Sequence, residues 1–157
     1  MKIEKIYLDM DGVIADFDKT FEDLYKMQPG KFEAEFGQTA FWEKVYETPT
    51  FFKYMLPTPR KNDIWDLCKT RCQNVIILSS PSRTNQPICM LHKRDWLDRL
   101  VGKHVPAIFE AHKHKYAGPN RLLIDDTKKK IDKWVEHGGI GHLYTDFERL
   151  SSFIKQI

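Results

Sequence analysis

The sequence predicts an α/β fold in which helices cover both faces of a central, parallel, five-stranded sheet. Two observations predict it. Five short apolar runs, "IEKIYLD", "NVIILSS", "VPAIFE", "RLLIDD" and "GHLYTD", are rich in Ile, Val, Leu or Tyr and bounded by polar turns, as strands buried on both faces are. Stretches of helical spacing separate most of these runs, and strands alternating with helices build right-handed βαβ units around a parallel sheet.

Taken in order, "IEKIYLD" is the first strand and ends at Asp9 and Asp11. Residues 18 to 58 break the alternation: "KTFEDLYKM", "KFEAEFG" and "FWEKVYE" read as short helices, interrupted at "QPG" and closed by "LPTP". This is a helical insertion after the first strand, placed where open α/β sheets form their ligand crevice. "RKNDIWDLCKTRC" and "QPICMLHKRDWLDRLVG" flank the second strand as helices; in the latter, Leu91, Trp96, Leu97 and Leu100 fall mainly on one face. After the fourth strand, "TKKKIDKWVEHGG" is a helix stopped by its glycine pair, and "DFERLSSFIKQI" closes the chain. The expected organisation is a single domain, with a core of 1–17 and 59–157 and a small helical cap of about 18–58.

Composition narrows the function classes. The 157 residues are 41% hydrophobic and 30% charged, ordinary for an ordered soluble domain. A net charge of +3 is too small and dispersed to demand a nucleic-acid partner, and the basic run "TKKKIDK" reads first as a solvated helix face. Three cysteines, Cys68, Cys72 and Cys89, form no disulfide framework and no zinc spacing. With no apolar run long enough for a bilayer and no signal-peptide h-region in "MKIEKIYLDM", the expected location is cytoplasmic, without membrane contact.

The chemistry lies at strand ends. Asp9 and Asp11 follow the first strand, Ser79 and Ser80 the second, Asp125 and Asp126 the fourth, and a parallel sheet brings such ends to one edge. Each cluster alone reads as a cap or turn. Two unit charges about 4 Å apart interact by roughly 4 kcal/mol near a protein surface, so converging carboxylates call for a cation. An EF-hand is disfavoured because "DMDGVIADF" has Gly at its fourth position and follows a strand. The carboxylates suit Mg²⁺, a hard cation that keeps waters for a phosphate-bearing substrate.

On these motifs the chain resembles the haloacid dehalogenase-like phosphohydrolases, and among them the 5'(3')-deoxyribonucleotidases. The resemblance implies a three-layer, Rossmann-like core with a small helical cap, and an aspartyl-phosphate mechanism. "DMDGVIADF" matches the first motif, making Asp9 the nucleophile and Asp11 the general acid/base. "VIILSSP" matches the second, assigning Ser79, where the family usually has Thr, to the phosphoryl group. Spacing to Asp125 assigns the third-motif lysine to Lys115, with Lys113 two residues away, and "LLIDD" matches the acidic fourth motif. Mg²⁺ is then expected on Asp9, the Asp11 backbone carbonyl and one or both of Asp125 and Asp126. Phe17, Phe41, Trp42, Ser80 and Arg83 are the substrate-binding candidates, the aromatics being equally readable as cap core. Thr127 stands where relatives carry a basic residue. The implied substrate is a nucleoside monophosphate, and a homodimer is compatible. The alternatives are a phosphatase for nucleic-acid 3'-phosphate ends or another small phosphoester, and a non-catalytic nucleotide-binding module.

Overall fold

The computed structural model describes all 157 residues, Met1–Ile157. In chain order the elements are β1 (Lys5–Leu8), β2 (Ala15–Asp16), α1 (Phe17–Tyr25), α2 (Pro29–Phe36), α3 (Gln38–Val45), β3 (Leu56–Pro57) and α4 (Lys61–Arg71). There follow β4 (Val75–Ser79), α5 (Gln86–Leu100), β5 (Ala107–Phe109), a 3₁₀ turn (Lys113–Tyr116), β6 (Arg121–Asp125), α6 (Lys128–Glu136), β7 (Ile140–Leu143) and α7 (Phe147–Gln156). The five expected strands form one parallel sheet of order β5-β4-β1-β6-β7.

Alternation along the strands sorts their side chains into two apolar layers. Tyr7, Leu78 and Leu123 pack with Ile131 and Trp134 of α6 on one face. Ile6, Leu8, Ile77 and Ile124 join the larger core on the other, with Ile64 of α4, Trp96 of α5 and Leu150 of α7. The result is a three-layer α/β fold. Since β1 lies between β4 and β6, with Leu8 in register with Ile77 and with Ile124, the carboxyl ends of all three strands open side by side. The chain reverses its direction of winding at β1, which is where such sheets leave a crevice.

The chain leaves the sheet after β1 and returns through a two-residue antiparallel ribbon, Ala15 opposite Pro57 and Asp16 opposite Leu56. The sequence predicts no strand between 18 and 58; β3 is too short to show a period of two. Helices α1 to α3 lie between the ribbon strands, and Asp16 caps α1 by accepting from the Lys19 N–H at 3.1 Å. Aromatic packing ties them to the sheet: Phe21, Phe41, Phe51 and Phe52 belong to the same buried cluster as Leu8 and Ile77.

One helix face differs from expectation. Leu91 is 67% exposed, and the buried residues of α5 are Cys89, Lys93, Trp96 and Leu97. A lysine occupies the apolar stripe because it has buried partners in the crevice.

Candidate active site

The crevice starts from a turn that only a glycine fits. After β1 the Met10 carbonyl accepts from the Ile14 and Ala15 N–H groups at 3.0 and 2.9 Å, folding residues 9–15 back on themselves. Gly12 has φ +83°, and a Cβ there would lie 2.0 Å from Asp126 Oδ2. The close approach of the two loops therefore depends on that missing atom. Gly12→Ala is expected to cost about 1–2 kcal/mol from backbone strain and to push Asp126 out of place. Chemical denaturation and a Mg²⁺ titration check this; wild-type values in both would remove the close approach from the argument.

Asp9, Asp125 and Asp126 each present a carboxylate oxygen, all within 4.8 Å of one another. Lys113 bridges two of them, donating to Asp9 Oδ1 at 2.7 Å and Asp125 Oδ2 at 2.6 Å, and the Thr127 N–H donates to Asp125 Oδ1 at 2.9 Å. Asp9, Lys113 and Asp125 are all buried. Burial by itself would raise the Asp9 carboxyl, but the Lys113 ammonium, the Lys130 charge and the Met10 N–H together hold it below the usual carboxylate range. Burial and the Asp9 charge raise Asp125, against the pull of Lys113. Desolvation of its carboxyl, with the charges of Asp9 and Asp125, pushes Asp126 up to about 8, although the residue as a whole is exposed. One lysine leaves three clustered carboxylates undercompensated, and this all-oxygen donor set fits a hard divalent cation such as Mg²⁺. The Asp11 carboxylate is not part of the cluster.

The lysine assignment needs correction. Lys113, not Lys115, meets the carboxylates; Lys115 is solvent-exposed and pairs with Glu110 at 2.5 Å. The cause is local: both lie in a 3₁₀ turn, where three residues complete a revolution, so side chains two apart diverge. Spacing to Asp125 does not register that rotation.

A second buried lysine, Lys93, lies outside the motifs. Lys93 Nζ donates to Asp11 Oδ2, Ser79 Oγ and the Ser80 carbonyl, each at 2.9 Å, which uses all three of its N–H bonds. Its signal was present: 89, 93, 96, 97 and 100 make an apolar helical stripe in which one position is Lys. Ser79 is buried on this lysine and lines neither of the cavities at the crevice, whereas Ser80 lines both and its hydroxyl accepts from Lys130 Nζ at 2.6 Å. The hydroxyl facing the cavities is thus that of Ser80, one residue past the expected one.

Two cavities meet at Asp11, Trp42, Ser80 and Lys130. The smaller, about 270 Å³, holds Asp9 and Asp126 beneath Phe17, Phe41 and Trp42. Phe17 also packs on Phe51 at 4.9 Å and Phe41 on Phe21 at 5.6 Å, so these rings are insertion core and cavity wall together. The larger, about 470 Å³, includes Arg83 and Phe52. Asp11 Oδ1 and Trp42 Nε1 are buried at this junction without a hydrogen-bond partner. Such orphaned groups carry a desolvation cost that a ligand atom would remove.

The chain is similar to known proteins in sequence and in fold. The chain is 24% identical over 124 residues to a Vibrio phage KVP40 protein named "Putative 5'(3')-deoxyribonucleotidase", covering 79% of this chain and 66% of that protein. It is 26% identical over 136 residues to a Bordetella pertussis protein of the same name, covering 77% of this chain and 73% of the relative. The chain thus spans about two thirds of the phage relative's length. No family model matches. Among solved structures, a hydrolase from Streptococcus pneumoniae TIGR4 superposes with a TM-score of 0.57 at 17% identity, covering 99% of this chain and all of that one. The magnesium complex of a HAD family enzyme from Bacteroides thetaiotaomicron gives 0.51 at 15% identity, covering 96% and 98%. The fold is that of the haloacid dehalogenase-like hydrolases. The sequence likeness is to proteins named "Putative 5'(3')-deoxyribonucleotidase".

Proposed function

We propose that the protein is a Mg²⁺-dependent phosphatase that releases phosphate from nucleoside monophosphates, with deoxyribonucleotides as the preferred class. One observation carries the reading: Asp9 is held ionised by Lys113, beside two further carboxylates and under an aromatic-walled cavity. An ionised carboxylate that cannot leave the site is what covalent phosphoryl transfer needs. The likeness in name of distant relatives supports the same class.

Asp9 attacks phosphorus in line, a new O–P bond forming as the ester bond to the sugar oxygen breaks. Asp11 gives its proton to that oxygen; its Oδ1 is unpartnered at the cavity junction, and Lys93 fixes the carboxyl through Oδ2. Water then attacks the phosphorus and returns a proton to Asp11, freeing Asp9. Lys113 and Lys130, with the Ser80 hydroxyl, lie where they neutralise and orient phosphoryl oxygens. Asp9, Asp125 and Asp126 would hold Mg²⁺, which supplies charge compensation for the phosphoryl group when bound. The rings of Phe17 and Trp42 offer faces for the base. The three free thiols accord with a cytoplasmic setting, and no helix is long and apolar enough to cross a membrane.

Phosphate release from deoxynucleotides, ribonucleotides and sugar phosphates, with Mg²⁺ or a chelator, tests the reading. Nucleotides are expected to be preferred and chelation to abolish release; equal rates on sugar phosphates would remove the nucleotide specificity, and chelator-insensitive release the metal.

Asp126 titrates near 8 in the folded chain and near 4 when unfolded, so between those values the folded state binds more protons. Stability without metal therefore falls as pH rises through that window, and the raised Asp125 acts in the same direction. The lowered Asp9 acts oppositely, but only below about pH 4. Mg²⁺ should raise the melting temperature more at pH 8.5 than at pH 5.5. Thermal melts in chelator and in Mg²⁺ would show it, and a larger rise at acid pH would contradict it.

A further inference from the structure

The larger cavity carries more positive charge than a single phosphoryl group can use. Near Asp9 the lysines already have carboxylate partners, Lys113 with Asp9 and Asp125, and Lys93 with Asp11. Lys130 reaches Ser80 at the junction of the cavities. Beyond it, Arg83, Lys129 and Lys133 line the same cavity and form no ion pair, and Asp11 is its only carboxylate.

The arrangement is adverse in the absence of an anion. Lys129 and Lys130 sit in the first turn of α6, where the helix dipole is itself positive and acidic residues are preferred. Lys128, in the same turn, is neutralised by Asp132 and points elsewhere, while Lys129 and Lys133, one helical turn apart, face the cavity. His114 also lines the cavity, its ring tilted against that of His137 at the end of α6, 4.6 Å between centroids. Partial desolvation and the charges of His137, Lys133, His112 and Lys115 keep His114 from protonating at its ordinary pH. Every group around this volume, other than the paired Asp11, is neutral or cationic.

We propose that the substrate carries a second phosphate group, apart from the one transferred, and that Arg83, Lys129 and Lys133 bind it in the larger cavity. This rests on the nucleotide phosphatase reading and narrows it. The reacting phosphoryl group sits over Asp9, the base has the aromatic wall of the smaller cavity, and the second anion extends the other way past Ser80 and Lys130. A nucleoside monophosphate has nothing to place there. A nucleoside 3',5'-bisphosphate and a phosphorylated strand end both do, since each adds one phosphate across the sugar.

The test compares a deoxynucleoside 5'-monophosphate, its 3',5'-bisphosphate and a 5'-phosphorylated dinucleotide, on the wild type and on the Lys129→Ala/Lys133→Ala double variant. At low salt, KM for one or both of the substrates with two phosphate groups should be about tenfold below that for the monophosphate, and the double variant should abolish the difference. Monophosphate kcat/KM should change by less than about twofold in the variant. A gain for the bisphosphate alone assigns a small nucleotide, and a gain for the dinucleotide alone a strand end. Equal KM values in the wild type, or a gain unaffected by the double variant, overturn the proposal. Absence of phosphate release from every substrate would overturn the phosphatase reading instead. In that case calorimetric binding of bisphosphate against monophosphate decides the second-anion site: tighter bisphosphate binding lost in the double variant upholds it, and equal binding overturns it.

Discussion

Lys113→Ala is expected to cost about 3–5 kcal/mol of folding stability in the absence of metal, and to lower kcat by about 10²–10³-fold. Lys115→Ala should change neither by more than about 0.5 kcal/mol or a small factor. Lys113 is buried between two buried carboxylates and donates to both, so its removal leaves Asp9 and Asp125 buried without a cation. Lys115 pairs with Glu110 in solvent, where such bridges contribute little. Without Lys113 both carboxyls lose the charge that favours ionisation, so the deficit should shrink as pH falls and they take up protons. Added Mg²⁺ should restore part of the stability, because the same oxygens can be compensated by a different cation. Denaturant unfolding of both variants at pH 5 and 8, with and without Mg²⁺, resolves these expectations. An inert Lys113→Ala beside an inactive Lys115→Ala would reinstate the lysine chosen by spacing.

The contrast between these lysines shows what the sequence made legible. The parallel sheet was readable because strands buried on both faces must be apolar throughout, and "YLD", "ILSS" and "LIDD" announce where each ends. A parallel sheet implies that Asp9, Asp125 and Asp126 share an edge, and they do. What escaped was side-chain direction outside regular elements. A 3₁₀ turn decides between Lys113 and Lys115, and a strand terminus decides whether Ser79 or Ser80 faces the cavities. Neither choice leaves a trace in spacing. Lys93 was legible in principle: a charged residue in an apolar stripe must have a buried partner or the helix face would not pack. The aromatic insertion was legible in kind, yet the sequence offers no way to separate rings that support the wall from rings that form it, since Phe17 and Phe41 do both.

Asp9→Asn is expected to lower phosphate release by about 10³-fold or more while the fold is kept, because the amide is no nucleophile and has nearly the same shape. Folding should tolerate the change for an electrostatic reason. The substitution removes one of three crowded carboxylates, and Lys113 retains Asp125 as a partner at 2.6 Å. An independent signature follows at Asp126, whose carboxyl is raised by burial and then by the charge of Asp9. Removing that charge should bring its titration below about 8, so the metal-free loss of stability on raising pH should begin at lower pH than in the wild type. The two readouts separate the claims about this residue. A shifted pH profile with catalysis intact would place Asp9 in the acidic cluster but not at the phosphorus, whereas lost catalysis with an unshifted profile would leave the nucleophile standing and detach it from Asp126. Only the two changes together match a carboxylate that both shares a cation with Asp125 and Asp126 and attacks the substrate.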